Sequence, residues 1–200
     1  VREDITALPL PADRYSSRQG RMRLLVLGGS QGALALNQTV PAGLGLLDPE
    51  VRPVVRHQCG EQTLQAAEEA YISHDVDVEL LPFIEDMATV YEWADLVVCR
   101  AGALTVAELC AAGVPALFVP YPTAVDDHQT ANAKPMTTAG AAAIIQESEL
   151  TPELLADLLR DWLQSRSALL EKANKARALA KSDSLSRITE LCLEQAGGVS

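Results

Sequence analysis

The chain has 200 residues, of which 48% are hydrophobic, 22% charged and only 4% aromatic. That composition fits one domain, or one with a small addition, around a mostly aliphatic core, and it excludes intrinsic disorder. A formal net charge of −11 excludes a protein built around nucleic acid, or one that docks broadly to acidic lipid, because both need clustered Lys and Arg.

The first 23 residues run against the overall charge, with five Arg and three acids. They read as a lead-in, residues 1–22. The chain begins at Val1-Arg2-Glu3 without Met, as a processed product or one domain of a longer protein would. No signal-peptide pattern opens it, and no apolar run reaches the roughly 18 residues of a membrane span. Arg23–Leu27 (RLLVL) reads as a buried strand running into Gly28-Gly29-Ser30. A helix follows at 33–47, weakened in its second half by Pro41, Gly43 and Gly45. A strand at 51–57, a helix at 61–73 and a strand at 76–81 come next, then a short helix at 85–94. Leu96–Cys99 (LVVC) is a fourth strand, with a helix at 104–112 and a fifth strand at 116–119. A proline-stiffened loop at 120–130, a helix at 130–139 and a sixth strand at 142–145 complete the series. From 57 to 99 there are ten acids and no Lys or Arg, a pattern that fits a solvated acidic face.

Six strands alternating with helices mean parallel strands joined by right-handed crossovers. Short, uniformly apolar strands fit a sheet covered on both faces. The expectation is a Rossmann-like doubly wound α/β domain over residues 23–164. Thr151-Pro152-Glu153 is a strong helix start, and helix is expected from there to about Gln195. Breaks are expected near residues 165–167 and 182–184. Residues 165–200 form a C-terminal helical tail that could cover a neighbouring domain. Cys59, Cys99, Cys110 and Cys192 form no C-x-x-C pair and read as buried thiols of a reducing compartment.

Ligands of such sheets bind beyond the carboxyl ends of the strands, so the loops after the strands hold the candidate site. The loop GGSQGA (28–33) lets backbone N–H groups approach a phosphate at a helix N-terminus. A tight turn without a ligand would use the same glycines. The spacing is not G-x-G-x-x-G, and the second strand ends in VVRH rather than in an acid, which excludes the dinucleotide fingerprint. No Gly-Lys-Ser/Thr follows, which excludes a Walker loop. After the fourth strand, RAGALTVAE (100–108) is a second small-residue loop entering a helix. Thr105 and Glu108 have capping-box spacing, so Glu108 either bonds back to a cap or accepts from a ribose diol. In the third loop, Asp126 or Asp127 is placed to cap a helix, while His128, Gln129 and Asn132 can hydrogen-bond a sugar. His57, His74 and His128 show no metal-ligand spacing, and there is no G-x-S-x-G elbow. Two anion-ready loops and a polar third suggest a nucleoside diphosphate carrying a sugar.

The segments GGSQGA, PFIEDM (82–87), RAGALTVAEL (100–109), GVPALFVPYP (113–122) and DHQTANA (127–133) together resemble the MurG family. These are bacterial N-acetylglucosaminyltransferases of peptidoglycan synthesis, and hence of cell-wall biogenesis, cell shape and division. The match runs in order over about residues 1–160, and resembles the C-terminal, donor-binding half of a two-domain GT-B glycosyltransferase. The resemblance implies inverting transfer of N-acetylglucosamine from UDP-N-acetylglucosamine to lipid I, giving lipid II, with no metal and no other cofactor. Carried over by motif, Ser30 and nearby backbone would face the diphosphate, and Ile84 would meet the uracil through its backbone. Ala103, Leu104 and Thr105, with Val106 and Ala107 behind them, would line the phosphates. Glu108 would take the ribose hydroxyls, Gln129 and Asn132 would read the sugar, and Arg2 would reach the diphosphate from the interdomain linker. The resemblance places the lipid acceptor, membrane attachment and general base in an N-terminal half, so no catalytic residue is assigned here. It implies a peripheral position on the cytoplasmic face of the bacterial inner membrane. Pro135 departs from the expected pattern and should kink or reset the helix that carries Asn132. An epimerase on the same fold would need acids working on the sugar carbon, whereas these loops offer mainly amides and Glu108, which favours transfer. A non-catalytic binding module would not need Gln129 and Asn132 together.

Overall fold

The computed structural model describes residues 1–29, 33–122 and 127–180. Six parallel strands form one sheet in the order β3-β2-β1-β4-β5-β6. They are β1 (Arg23–Leu27), β2 (Val54–Gln58), β3 (Glu79–Leu81), β4 (Leu96–Cys99), β5 (Ala116–Phe118) and β6 (Ala142–Ile144). The order reverses between β1 and β4, which pair with Leu25 opposite Val97 and Leu27 opposite Cys99. This is the doubly wound arrangement expected from the alternating elements, and its switch point is where ligands of such sheets lie.

Alternation along each strand builds two cores. Leu25, Leu27, Val97, Cys99, Ala116 and Phe118 face one side. There they meet α5 (Met87–Trp93), α6 (Ala103–Ala112) and α7 (His128–Thr138). Leu24, Val26, Val55, Leu96, Val98 and Leu117 face the other. Those pack on α3 (Leu34–Gly45), α4 (Leu64–Ser73) and α8 (Pro152–Leu163). The apolar side chains of β1, β4 and β5 are buried on both faces.

Strand ends move inward from their sequence expectations. β2 starts at Val54 because Val51 N–H turns back to the Asp48 carbonyl and Pro53 has no N–H to give. β3 keeps only three residues, since it is an edge strand paired with β2 alone. The helix expected at 61–73 opens with a 3-10 turn, Glu61–Thr63. α3 continues to Gly45 in spite of Pro41. Gly43 lets α8 approach closely there: a Cβ would lie 3.1 Å from the Pro152 carbonyl oxygen and 3.3 Å from Leu155. Pro135 sits inside α7, which runs unreset from His128 to Thr138. The expected break between the last described helices is present, with Ser165 accepting from Ala168 N–H at the start of α9 (Arg166–Ala178). The second break, near 182–184, lies outside the described residues, as does Cys192.

The lead-in is itself helical. It forms α1 (Glu3–Thr6) and α2 (Pro11–Ser16). Ile5 and Leu8 enter the core beside α5 and α6, and Tyr15 packs with Leu169 and Ala173 of α9. Arg14 is buried and donates to the carbonyls of Tyr91 (3.0 Å), Ala112 (2.6 Å) and Gly113 (2.9 Å). A guanidinium thus sits at the C-terminal ends of α5 and α6, where helix dipoles favour a cation. Asp95, fully buried, receives Arg18 at 2.5 Å, Arg166 at 3.2 Å and the Arg23 N–H at 3.0 Å. The Asp95 contacts hold α2, α9 and the start of β1 together, while Arg14 ties α2 to the ends of α5 and α6.

Candidate functional site

A cavity of about 360 Å³ opens at the switch point. Leu27, Gly28 and Gly29 after β1, Cys99 and Arg100 after β4, Gln58, Phe83, Ile84, Tyr91, Thr105 and Glu108 are among its lining residues. Gly28 N–H is tied to the Gln58 carbonyl at 2.9 Å, and Gly29 has φ +81°, open to glycine and strained for other residues. Ile84 is buried while Phe83 stands exposed. The N–H and carbonyl of Ile84 have no hydrogen-bond partner among the described residues.

The opposite wall is the first turn of α6. Gly102 is its N-cap, with no side-chain cap. The first helical bond runs from Val106 N–H to the Gly102 carbonyl at 2.9 Å. The N–H groups of Ala103, Leu104 and Thr105 therefore have no intrahelical acceptor, and they stand at the positive end of the helix dipole.

Thr105 is the third residue of this helix, not its cap, so the capping-box alternative for Glu108 fails. Glu108 is only 5% exposed. Its Oε2 accepts from the Tyr91 hydroxyl at 3.0 Å, and its Oε1 faces Arg2 Nη2 at 3.4 Å. One buried carboxylate thus lies in the same cavity as Leu104 and Thr105, two of the three residues whose amides have no intrahelical acceptor.

Arg100, the one cation between Arg56 and Lys134 in sequence, is turned away from the amides. It donates to the carbonyls of Val119 (3.1 Å) and Pro120 (3.2 Å), pairs with Glu147 and lies over the Tyr121 ring. Arg2, the cation that the sequence assigns to the diphosphate, lines the cavity. Gln129 Oε1 accepts from Ala101 N–H at 3.2 Å and Tyr121 N–H at 3.0 Å. Asn132 Nδ2 donates to the Ala101 carbonyl at 3.1 Å. Two amides on α7 therefore grip the loop that feeds α6, a role with no local sequence signal. Gln129 Nε2 and Asn132 Oδ1 have no partner among the described residues. Asp127 has φ +51° and makes no side-chain cap, so the capping alternative fails for it; Asp126 lies outside the described residues.

Of the residues singled out in sequence, Arg2, Ile84, Leu104, Thr105 and Glu108 share the cavity. Ala103, Val106, Ala107 and Asn132 line a separate apolar cavity of about 310 Å³ on the other side of α6. Val106 is also buried in the core and its N–H is already bonded, so it has little to offer a phosphate. Ser30 lies outside the described residues. Tyr91 was missed: its place on the buried face of α5 is legible, its partner on α6 is not. Among the described residues no group of three or more His, Cys, Asp or Glu is placed to hold a metal ion. No described helix is long and apolar enough to cross a membrane.

Comparison with known proteins places these features among relatives. The profile of the glycosyltransferase family 28 C-terminal domain matches residues 23–188. The UDP-N-acetylglucosamine–N-acetylmuramyl-(pentapeptide) pyrophosphoryl-undecaprenol N-acetylglucosamine transferase of Marinobacter nauticus is 50% identical over 198 residues, 99% of this chain and 54% of its own length. The transferase of the same name from Alkalilimnicola ehrlichii is 54% identical over 196 residues, 98% of this chain and 55% of its own. The crystal structure of Acinetobacter baumannii MurG superposes with a TM-score of 0.88 at 44% identity, over 95% of this chain and 55% of that one. The chain spans about half the length of the relatives it matches.

Proposed function

The chain belongs to the glycosyltransferase family 28 C-terminal domain family, and from that premise we propose that it is the donor-binding half of an N-acetylglucosaminyltransferase. The donor is UDP-N-acetylglucosamine. The acceptor is lipid I, the product is lipid II, and the anomeric configuration inverts. No metal or other cofactor takes part. Residues 1–22 link this half to an N-terminal half, which holds the acceptor and touches the cytoplasmic face of the inner membrane.

The observation that carries this reading is the Glu108 carboxylate beside the open amides of α6. A carboxylate accepts from the ribose hydroxyls, while backbone N–H groups receive the diphosphate. The two ligand parts have opposite needs, and this wall meets both within one helix. Ile84 supplies a backbone donor and acceptor for the uracil edge. Ser30, carried over by motif, is assigned to the diphosphate. Gln129 and Asn132 offer their uncommitted amide ends to the sugar. As the glycosidic bond breaks, charge develops on the departing UDP. The α6 dipole is preorganised to stabilise that charge without a metal ion, and Arg2 turns from Glu108 to meet it.

Isothermal titration with UDP, UDP-N-acetylglucosamine and UDP-N-acetylgalactosamine tests the reading. UDP and UDP-N-acetylglucosamine are expected to bind, with the galacto epimer weaker by about tenfold, the worth of one hydrogen bond to a sugar hydroxyl. Failure to bind UDP rejects the donor site. Equal binding of the two epimers rejects the sugar assignment.

A further inference from the structure

Tyr91 belongs to α5, yet its hydroxyl crosses to α6. The ring is fully buried, and the hydroxyl donates to Glu108 Oε2 at 3.0 Å. Glu is among the side chains that lose most rotamer freedom when ordered, so a carboxylate that must meet a ligand needs something to hold it. Arg2 holds the other oxygen only loosely, at 3.4 Å from a side chain that is 48% exposed. The Tyr91 bond is the shielded one. Its own backbone is fixed as well: Arg14 donates to the Tyr91 carbonyl at 3.0 Å and to the Ala112 and Gly113 carbonyls that end α6. The two helices are therefore tied at their C-terminal ends by Arg14 and nearer the cavity by Tyr91 and Glu108. Burial first, then the Glu108 charge, hold the Tyr91 hydroxyl well above the ordinary phenol range, so it stays a donor.

We infer that Tyr91 is a positioning residue: its hydroxyl clamps Glu108 Oε2 so that the remaining acceptor capacity of the carboxylate faces the ribose diol. The inference rests on the reading of Glu108 as the ribose acceptor. It assigns to Tyr91 a part of the ribose selectivity without any contact to the ligand.

The test compares UDP with 2′,3′-dideoxy-UDP by titration calorimetry on the 200-residue chain. The wild type is expected to prefer UDP, and Glu108→Gln to lose most of that preference. Tyr91→Phe is expected to weaken UDP by about five- to tenfold, with the dideoxy nucleotide unchanged, since a bond to a charged group is lost only indirectly. The double variant is expected to match Glu108→Gln, because the two residues act as one unit. It leaves no buried carboxylate without its donor, so it stays informative where the single Tyr91 variant folds poorly. Full preference retained in Tyr91→Phe overturns the inference. So does an equal loss for both nucleotides, which marks a merely structural role, or a double variant weaker than Glu108→Gln. A wild type without preference, or Glu108→Gln with it intact, instead rejects the ribose reading itself.

Discussion

Arg2 and Glu108 are 106 residues apart in sequence and 3.4 Å apart in space. The carboxylate side is buried and the guanidinium side half-exposed. A pair with one partner in solvent contributes at most about 1 kcal/mol, so Arg2 is free to exchange Glu108 for a better anion. Arg2→Ala is expected to cost under about 1 kcal/mol of stability. It is expected to weaken UDP about tenfold while leaving uridine unaffected, as a lost charge-assisted phosphate contact does. Titration with both ligands checks this; an equal loss for uridine would place Arg2 on the nucleoside instead.

Base selectivity should come from Phe83-Ile84. Ile84 is buried, and its backbone groups have no partner among the described residues. A fixed N–H and carbonyl pair suits one base edge and leaves polar groups unpaired with another. UDP is expected to bind more tightly than ADP by at least about tenfold. Competition between the two nucleotides measures it, and equal affinities would count against Ile84 as the reader.

The sheet was legible because its strands are short apolar runs set between helices, and a pattern of that kind admits few topologies. The site was legible in part. The small residues Ala101, Gly102 and Ala103 mark a free helix start, since glycine and alanine leave the amides accessible. Which amides stay free depends on where the helix begins, and Gly102 rather than Thr105 caps it. That one shift turns Glu108 from a capping side chain into a cavity side chain. Contacts between distant segments left no local trace: Tyr91 on Glu108, and Gln129 and Asn132 on Ala101. Nor did the packing of the lead-in, whose Arg14 looks like any surface arginine until three carbonyls are brought around it.

Gly113 closes α6 in the left-handed region, with φ +63°. A Cβ there would lie 2.7 Å from Pro11 Cγ and 3.0 Å from Arg177 Cβ. Gly113→Ala meets both a backbone cost of about 1–2 kcal/mol and this crowding between α2 and α9. A total destabilisation of about 2 kcal/mol or more is expected, read as a lower urea midpoint at unchanged slope. A midpoint within error of the wild type would show that the lead-in yields at no cost.

His57 is fully buried on β2, with Nδ1 3.0 Å from the Tyr71 hydroxyl. Burial pushes its pKa down to about 3. In the unfolded chain it returns to about 6.5. Between those values the unfolded chain takes up a proton that the native state refuses. Its contribution to stability is therefore complete above about pH 6.5 and falls as pH drops, by up to about 1.4 kcal/mol per unit. His57→Gln keeps a polar partner for Tyr71 and removes the titration. Urea unfolding between about pH 5 and 6.5 is expected to show a flatter slope in the variant. Parallel slopes would mean that His57 titrates normally.

Donor binding and sugar transfer are expected to separate in this chain. Inverting transfer needs the acceptor hydroxyl lined up behind the anomeric carbon, and such positioning supplies on the order of 7–11 kcal/mol. It also needs a base within hydrogen-bond reach of that hydroxyl. Four polar side chains of this rim already have structural tasks. Glu108 is held by Tyr91 and Arg2, Arg100 by the Val119 and Pro120 carbonyls and Glu147, and Gln129 and Asn132 grip Ala101. The relatives are nearly twice as long as the segment matched here, at 54–55% coverage of their length. Acceptor positioning is accordingly assigned to the part that this chain does not cover. The 200 residues alone are expected to bind UDP-N-acetylglucosamine and to give no turnover with a lipid I analogue. Turnover is expected once the N-terminal half of a relative is supplied. Robust transfer by the chain alone would reject this division of labour. It would point to Asp127 or His128, at the start of α7, as the base, and Asp127→Asn and His128→Ala would then tell the two apart by which one abolishes the rate.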